Sequence, residues 1–389
     1  MAGIMSAPLI VVHAIHSGGF YGAERVVLDL VGIQREGTTV APALLDLVDW
    51  NHPSSELGRR VSVLEARVRV LPARRGITLA ALRAYADAMV ALRADVVHSH
   101  GYKPTVLHVL SRMLRLHRVP LVVTAHGYVL TAPSLKERLY QTLDVFMLAR
   151  ADAVVAVSSA MEAYLASRSK RLRVTTIPNG IADAKEVSGN HPLPEFLRQT
   201  VAKMDPRRGR PIVIGSLGRL VPMKNHALLI DVVGEMMRDG VHCLPVVLGD
   251  GPLREELEER WRSAIPDIEP LLVSHQEDVL AWLADMDIFC MPSGPGEGLP
   301  MALLEAGLLA RPVVCSDSGG MAELIDDGGN GFLIRMGDAE ALRDRLLKLV
   351  VDESARARLG SALRTTVTTR HSIGAVSERY AELYALVAL

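Results

Sequence analysis

Cysteine is scarce in this 389-residue chain: Cys243, Cys290 and Cys315 lie far apart, in no CxxC or CxxxH spacing. That argues against a disulfide framework or a thiolate zinc cage and fits a reducing compartment. Net charge is nearly absent as well. Lys plus Arg number 43 against 44 Asp plus Glu, so nothing global favours nucleic acid, whose phosphates select a clearly basic surface. Nor is there a long apolar run at the N-terminus. "MAGIMSAPLIVVHAIHSGG" has no basic leader, and His13, His16 and Ser17 break it well short of the roughly 18 residues a membrane span needs. A soluble, cytoplasmic chain is expected, and its length favours about two domains over one core.

What is present is alternation. "APLIVVHAI", "ADVVHSH", "VPLVVTAH", "ADAVVAVSS" and "LRVTTIPNG" are short β-branched runs, and "ALRAYADAMVALRA" between two of them has helical periodicity. The rhythm restarts after residue 210 with "RPIVIGSLGRL", "HCLPVVLGDGP", "EPLLVSH", "MDIFCMPS" and "RPVVCSD". Apolar strands joined by helices predict parallel sheets covered on both faces, hence an α/β chain of two doubly wound, Rossmann-like domains facing a cleft. The expected division is 1–182 for an N-terminal domain, 183–210 for a Pro-rich, charged linker, and 211–370 for a second domain. Residues 371–389 form a C-terminal helix, a candidate to pack back on the first domain, and Asn179 and Gly180 are expected to close the N-terminal domain.

Ligands of such sheets sit outside the carboxyl ends of the strands, so residues that follow strands carry the interest. After the first strand, Gly18, Gly19 and Gly22 form a loop into a helix opening near Ala23 and Glu24, a place where backbone N–H groups can meet a phosphate. Steric need in a tight turn explains the same glycines equally well. The pattern is not G-x-G-x-x-G, and no acidic ribose ligand stands at the dinucleotide spacing, which counts against an oxidoreductase. In "GSLGRLVPMKN", Arg219 and Lys224 come from a loop that Pro222 keeps out of helix. A forked guanidinium and a point-charge ammonium suit a diphosphate, while two solvated cations are the plain alternative. "PSGPGEGLPMALLEAGLLARPVVCSDSGG" supplies Glu297 in a glycine-rich turn and Glu305 early on an apolar helix. There the dipole favours a carboxylate that can accept from vicinal hydroxyls, as on a ribose, unless Glu305 simply caps its own helix. Diphosphate groups plus two hydroxylated rings describe a nucleotide sugar.

In "SGGFYGAE", "TAHG", "IPNGI", "LGRLVPMKN", "LGDGP", "EGLPMALLEAGLLARPVV" and "SGGMAELI", in that order and spacing, the chain resembles the retaining nucleotide-sugar glycosyltransferases of family four, the glycogen synthase-like group 1 enzymes, which have the glycosyltransferase B fold. The resemblance implies that Arg219 and Lys224 hold the donor diphosphate without a metal and that Glu305 takes the ribose hydroxyls. It further implies that Glu297, with Gly298 and Leu299, binds the donor sugar, and that the loop of Gly18, Gly19 and Gly22 meets the phosphates. His126, just past a strand, would orient the sugar and the acceptor. No cofactor is implied, the nucleotide sugar being a substrate with UDP the expected nucleotide. Partners would be that donor and a glycan or lipid-linked acceptor of cell-surface polysaccharide synthesis.

The chain departs from the family pattern twice. Ser293 and Glu297 enclose three residues where two are usual, so the Glu297 loop is expected to be displaced. Ser274 and His275 replace an aromatic or aliphatic residue and a glycine near the base. Alternatives of other classes are a nucleotide-sugar 2-epimerase and a non-catalytic binding protein. His98 and His100 invite a metal reading, but with no acidic or cysteine ligand beside them they are expected to be polar residues without metal. Finally, residues 57–118 are locally basic, with only Glu65, Asp87 and Asp95 opposing. "VLHVLSRMLRLHRVP" pairs an apolar stripe with Arg112, Arg115 and Arg118, the pattern of a helix lying on an anionic membrane or, alternatively, of a core helix with a solvated basic face. Peripheral contact with the inner face of the cytoplasmic membrane is the expectation drawn from it.

Overall fold

The computed structural model describes residues 7–17, 19–49, 55–73, 76–126, 135–183, 195–204, 206–274, 276 and 279–389, the side chains of 73, 135–140, 195, 196, 203 and 206 excepted. Two units divide the chain, residues 1–182 with 372–389, and residues 183–371.

In the first unit seven parallel strands, β1 (Leu9–His16), β2 (Val40–Asp49), β3 (Arg67–Ala73), β4 (Val96–His100), β5 (Leu121–Ala125), β6 (Ala153–Ala156) and β7 (Val174–Thr176), lie in the order β3-β2-β1-β4-β5-β6-β7. Helices α1 (Gly22–Glu36), α2 (Glu56–Val63), α3 (Leu79–Leu92), α4 (Tyr102–Met113), α5 (Leu135–Leu148) and α6 (Ser159–Arg168) join them. Alternate strand residues serve opposite faces. Val12, Ala14 and Val97 enter the core that α3 and α4 cover, whereas Ile15 packs with Val27 and Val31 of α1. His13 is in register with His98, and Ile15 with His100, so the histidines fall on the face that Ile15 shares with α1.

The second unit begins with α7 (Glu195–Lys203) and carries six parallel strands, β8 (Ile212–Leu217), β9 (Cys243–Leu248), β10 (Leu272–Val273), β11 (Ile288–Met291), β12 (Val313–Ser316) and β13 (Phe332–Ile334), in the order β10-β9-β8-β11-β12-β13. Its other helices are α8 (His226–Arg238), α9 (Arg254–Ala264), α10 (Val279–Ala284), α11 (Met301–Leu308), α12 (Gly320–Leu324), α13 (Ala339–Val351) and α14 (Glu353–Arg370). Both sheets are doubly wound, as the alternation predicts. Each reverses its strand order once, between β1 and β4 and between β8 and β11, and such switch points are where ligands of open parallel sheets sit.

Two differences from the sequence reading concern organisation, and the C-terminal helix packs where that reading placed it. Strands β2 and β3 escape it because Pro42 and Asp46 interrupt one and Arg67 and Arg69 alternate with valine in the other. Pro72 in β3 is tolerated because β3 is an edge strand. Much of the expected linker 183–210 is folded: α7 buries Leu197, and Arg210 forks onto both carboxylate oxygens of Asp287 at 2.9 and 2.7 Å. The last helix, α15 (Ile373–Ala388), packs on α1, β1, β4 and β5 in the first unit. Ile181 bridges to Ser372, a Cβ on Gly180 would lie 2.9 Å from the Val376 side chain, and Asn179 is buried beside them.

Candidate functional site

In the second unit β8 ends at Leu217 and the chain turns at once. Gly218 adopts φ 155, Leu220 N–H donates to the Asp250 carbonyl at 2.9 Å, and Pro222–Lys224 forms a 3-10 turn closed by Asn225 at φ 49. This turn folds the Lys224 side chain back over Gly218, where a Cβ would come within 3.0 Å of Lys224 Cε. Lys224 Nζ then lies 2.5 Å from Glu297 Oε1, with both side chains largely buried. The contact is an ion pair and not an aligned hydrogen bond, since Oε1 has no partner of hydrogen-bond geometry. Arg219, by contrast, is exposed, and its guanidinium pairs with no described carboxylate.

The Glu297 loop, with its extra residue, holds Glu297 against this cation. Pro295 projects into solvent, Gly296 turns the chain at φ 105, and Gly294 N–H donates to the Met223 carbonyl at 2.6 Å, so the insertion is taken up before Glu297 is reached. Behind the loop, Gly319 sits at φ 53 with its α-carbon so close to the Glu297 carbonyl that a Cβ would lie 2.0 Å from that oxygen. Gly320 N–H donates to the Gly298 carbonyl at 2.9 Å, and Leu299 is buried. Glu305 is also buried, but it lies beyond the first turn of α11, whose N-cap is Pro300. The dipole, which acts within that turn, does not explain a carboxylate there.

Two residues absent from the sequence reading support these loops. Arg254 binds the carbonyls of Leu272 and Gly249, the Asp250 carboxylate and Ser274 Oγ, tying the ends of β9 and β10 together. His226 opens α8 with Nδ1 3.1 Å from Ser216 Oγ, and burial pushes its pKa down to about 4. An arginine opening the helix after "LGDGP" was the available signal. Ser274 is exposed, and His275 lies outside the described residues.

In the first unit, Gly18 lies outside the described residues, Gly19 lies under the Tyr21 ring, and Gly22 is the first residue of α1. Glu24 accepts the Tyr21 N–H at 3.1 Å, so a carboxylate already occupies part of the helix terminus expected to meet phosphate. Burial raises the Glu24 pKa, opposed by its hydrogen bonds from the backbone and Ser17.

At the ends of β1, β4 and β5 the chain assembles more histidine than sequence reasoning foresaw. Gln34 Oε1 lies 2.9 Å from His13 Nε2, His13 Nδ1 is 3.1 Å from His100 Nε2, and His100 Nδ1 is 3.1 Å from His126 Nε2. His98 is held apart from this line, its Nδ1 2.7 Å from the Tyr384 hydroxyl and its Nε2 2.7 Å from Thr124 Oγ1, which also meets the Tyr380 hydroxyl at 3.0 Å. Burial pushes His13 and His126 down to about 4 and His98 and His100 well below the ordinary range, so all four are neutral near pH 7. Ligating atoms of His13, His98 and His100 lie within 4.8 Å of one another. Each of their ring nitrogens already has a partner, however, and a metal would have to displace those bonds. The residue missed was His13, inside the first apolar strand; the two-residue spacing of His98 and His100 in "HSH" puts that pair on one face of β4, where His13 is in register with His98.

The basic membrane helix is not formed as expected. α4 ends at Met113, Arg115 takes φ 58, and His108 inside α4 is buried against Tyr85 and the Val119 carbonyl. Arg112 binds Asp152 Oδ2 at 2.5 Å and the Arg150 carbonyl, while Arg59 and Arg60 pair with Glu56. A window of sequence counts those cations as free because their partners lie outside it. An alternative basic surface lies between α5 and α6, where a groove of ≈ 450 Å³ is lined by Phe146, Arg150, Arg168, Lys170 and Arg171 and, among the described residues, by no acidic one.

Comparison with known proteins gives two family matches side by side: "Glycosyltransferase Family 4" over residues 20–185 and "Glycosyl transferases group 1" over residues 199–366. Among curated proteins, the chain is 32% identical over 184 residues to the lipopolysaccharide core biosynthesis glycosyltransferase LpsE of Rhizobium meliloti, covering 47% of this chain and 52% of that protein. It is 24% identical over 271 residues to the UDP-Gal:alpha-D-GlcNAc-diphosphoundecaprenol alpha-1,3-galactosyltransferase of Escherichia coli, covering 67% of each. The alignment thus spans about half the length of the first of these relatives. Among solved structures, Anabaena HepE in complex with UDP and glucose superposes with a TM-score of 0.78 at 20% identity, over 97% of this chain and 100% of that one, a likeness of fold.

Proposed function

Since the chain belongs to the group 1 glycosyltransferases, with a family-four-type first half, we propose that it moves a sugar from a nucleoside diphosphate donor, UDP-linked, to a glycan or lipid-linked acceptor in cell-surface polysaccharide or glycoconjugate synthesis, with retention of anomeric configuration. One juxtaposition carries this reading. Arg219, Lys224 and Glu297 stand on the loops that leave β8 and β11, the two strands flanking the switch point of the second sheet.

In the proposed reaction the bond between the anomeric carbon and the diphosphate breaks, and negative charge grows on the departing oxygens. Arg219, exposed and without a described carboxylate, is placed to fork onto them. Lys224, held against Glu297, adds a point charge whose position is fixed before substrate arrives. Prepositioned charge of this kind lowers the barrier because nothing must reorganise as the bond breaks, and no metal is required for it. Glu297, with the backbone of Gly298 and Leu299, is assigned to the donor sugar, Glu305 to the ribose hydroxyls, and His126 of the first unit to a hydroxyl of the reacting sugars. Gly19 and Gly22 keep a phosphate assignment, shared with the Glu24 carboxylate. The groove between α5 and α6 replaces α4 as the proposed surface for peripheral contact with anionic membrane.

The test is to incubate the protein with UDP-, GDP- and ADP-sugars and lipid-linked or free glycan acceptors, and to read product mass and anomeric configuration by NMR. The expected product is a glycoside with the donor's configuration. An isomeric nucleotide sugar without glycoside would replace transfer by 2-epimerisation, and donor binding without turnover would leave a binding protein.

A further inference from the structure

Buried imidazoles that hydrogen-bond one another must share out their protons. Three neutral rings in a line carry one N–H each, so every ring donates in the same direction, and whatever closes one end sets the direction for all. Here the closed end is Gln34, on α1, buried and with Oε1 facing His13 Nε2 at 2.9 Å. With the amide oxygen as acceptor, His13 donates from Nε2 and offers a bare Nδ1. His100 then donates from Nε2 across 3.1 Å and offers its own Nδ1, and His126 donates from Nε2 across a further 3.1 Å. We propose that Gln34, His13 and His100 form a positioning relay that fixes His126 as the Nε2–H tautomer and leaves its Nδ1 as the hydrogen-bond acceptor presented to a substrate hydroxyl. The proposal rests on the assignment of His126 under the proposed function and goes beyond it by naming the tautomer and the residues that impose it.

Three features of the surroundings favour the relay. The line is insulated: His13 and His100 are buried, His98 is turned away to Tyr384 and Thr124, and Gln34 also meets the Tyr384 hydroxyl, so among the described residues no second acceptor stands on the His13 or His100 nitrogens. Among the described residues the titratable groups that face it are His98 on β4 and Tyr380 and Tyr384 on α15, all neutral at pH 7. Among the described residues no carboxylate acts on His13, His100 or His126, and burial keeps those rings uncharged. An uncharged acceptor suits glycosyl transfer. Positive charge develops on the sugar as the leaving group departs, and an imidazolium beside it would repel that charge.

The direct test is the ring-nitrogen spectrum of protein labelled with ¹⁵N-histidine, read near pH 7, with His126→Ala assigning the His126 signals. The relay predicts protonated Nε2 and bare Nδ1 on His13, His100 and His126. Two variants then perturb the closed end. Gln34→Met removes the acceptor and should mix the His126 tautomers, lowering kcat by about tenfold while the donor KM stays within about twofold, the pattern of a residue acting through another. Gln34→Glu restores an acceptor, holds the tautomer and, by placing a carboxylate on His13, moves the acid limb of the rate profile to higher pH. A proton on His126 Nδ1 in the wild type, or His126 signals indifferent to Gln34→Met, overturns the relay even if His126 is essential. A fully active His126→Ala variant overturns instead the assignment on which the relay's purpose depends.

Discussion

Arg219 and Lys224 are five positions apart and of one charge, yet their surroundings predict different phenotypes. Arg219→Ala removes an exposed guanidinium, so turnover should fall by on the order of a hundredfold with the melting temperature unchanged. Lys224→Ala should lose a similar factor and also about 3 kcal/mol of stability, because Glu297, 9% exposed, is left without its counter-charge. Steady-state rates and thermal melts of both variants check this, and equal melting temperatures would contradict the pairing. The same scale sets the pH dependence. His126 is active as the neutral ring, and its pKa is pushed down to about 4, so kcat/KM should stay level from pH 8 to about 5 and decline only below. An acid limb centred at the ordinary histidine value, 6.5, would contradict the burial assigned to it. Stability moves in the same direction. Below that ordinary value the unfolded chain binds protons at His13 that the folded chain refuses, costing up to about 1.4 kcal/mol per pH unit down to the folded pKa, so rates need a folded-fraction control. The cations and both glutamates of the second unit were legible in the sequence because each follows a strand. Gln34, His13, Tyr380 and Tyr384 were not, because a side chain's partner across a sheet or on a distant helix leaves no local pattern.

Among the elements, the loops after β11 and β12 act as one piece. Gly319→Ala would place a methyl group 2.0 Å from the Glu297 carbonyl in a left-handed backbone, and should cost at least about 3 kcal/mol and release the Glu297 loop. Calorimetry and donor affinity on the variant check it, and a neutral effect on both would contradict the packing. "SGG" was visible as a motif, but its reason, backbone lying on the backbone of another loop, needs the fold. Strands with continuous apolar runs were readable, whereas β2 and β3 were not, since Pro42, Asp46, Arg67 and Arg69 break the pattern that marks a strand. Glu305 shows the reverse error. Its placement on a helix was right, but the dipole offered to explain it acts one turn earlier.

For the whole molecule, the restart of the strand rhythm after residue 210 marked two doubly wound units, while the folded part of the supposed linker was hidden by its Pro and charge content. Surface chemistry was the least legible property, because Glu56 and Asp152 neutralise arginines that look free in a sequence window. Any membrane contact should therefore follow the groove between α5 and α6. Lys170→Glu with Arg171→Glu is expected to abolish low-salt cosedimentation with anionic vesicles, while Arg115→Glu with Arg118→Glu has the smaller effect; the opposite ranking would return the contact to the end of α4. The central claim, that the strand-end loops of the second unit hold a nucleoside diphosphate, is tested most directly by isothermal titration of UDP into the wild type and Arg219→Ala. The account predicts saturable binding at one site per chain, weakened by about tenfold or more in the folded variant, as loss of a charged hydrogen bond requires. Absence of UDP binding, or affinity that Arg219→Ala leaves unchanged, would contradict it.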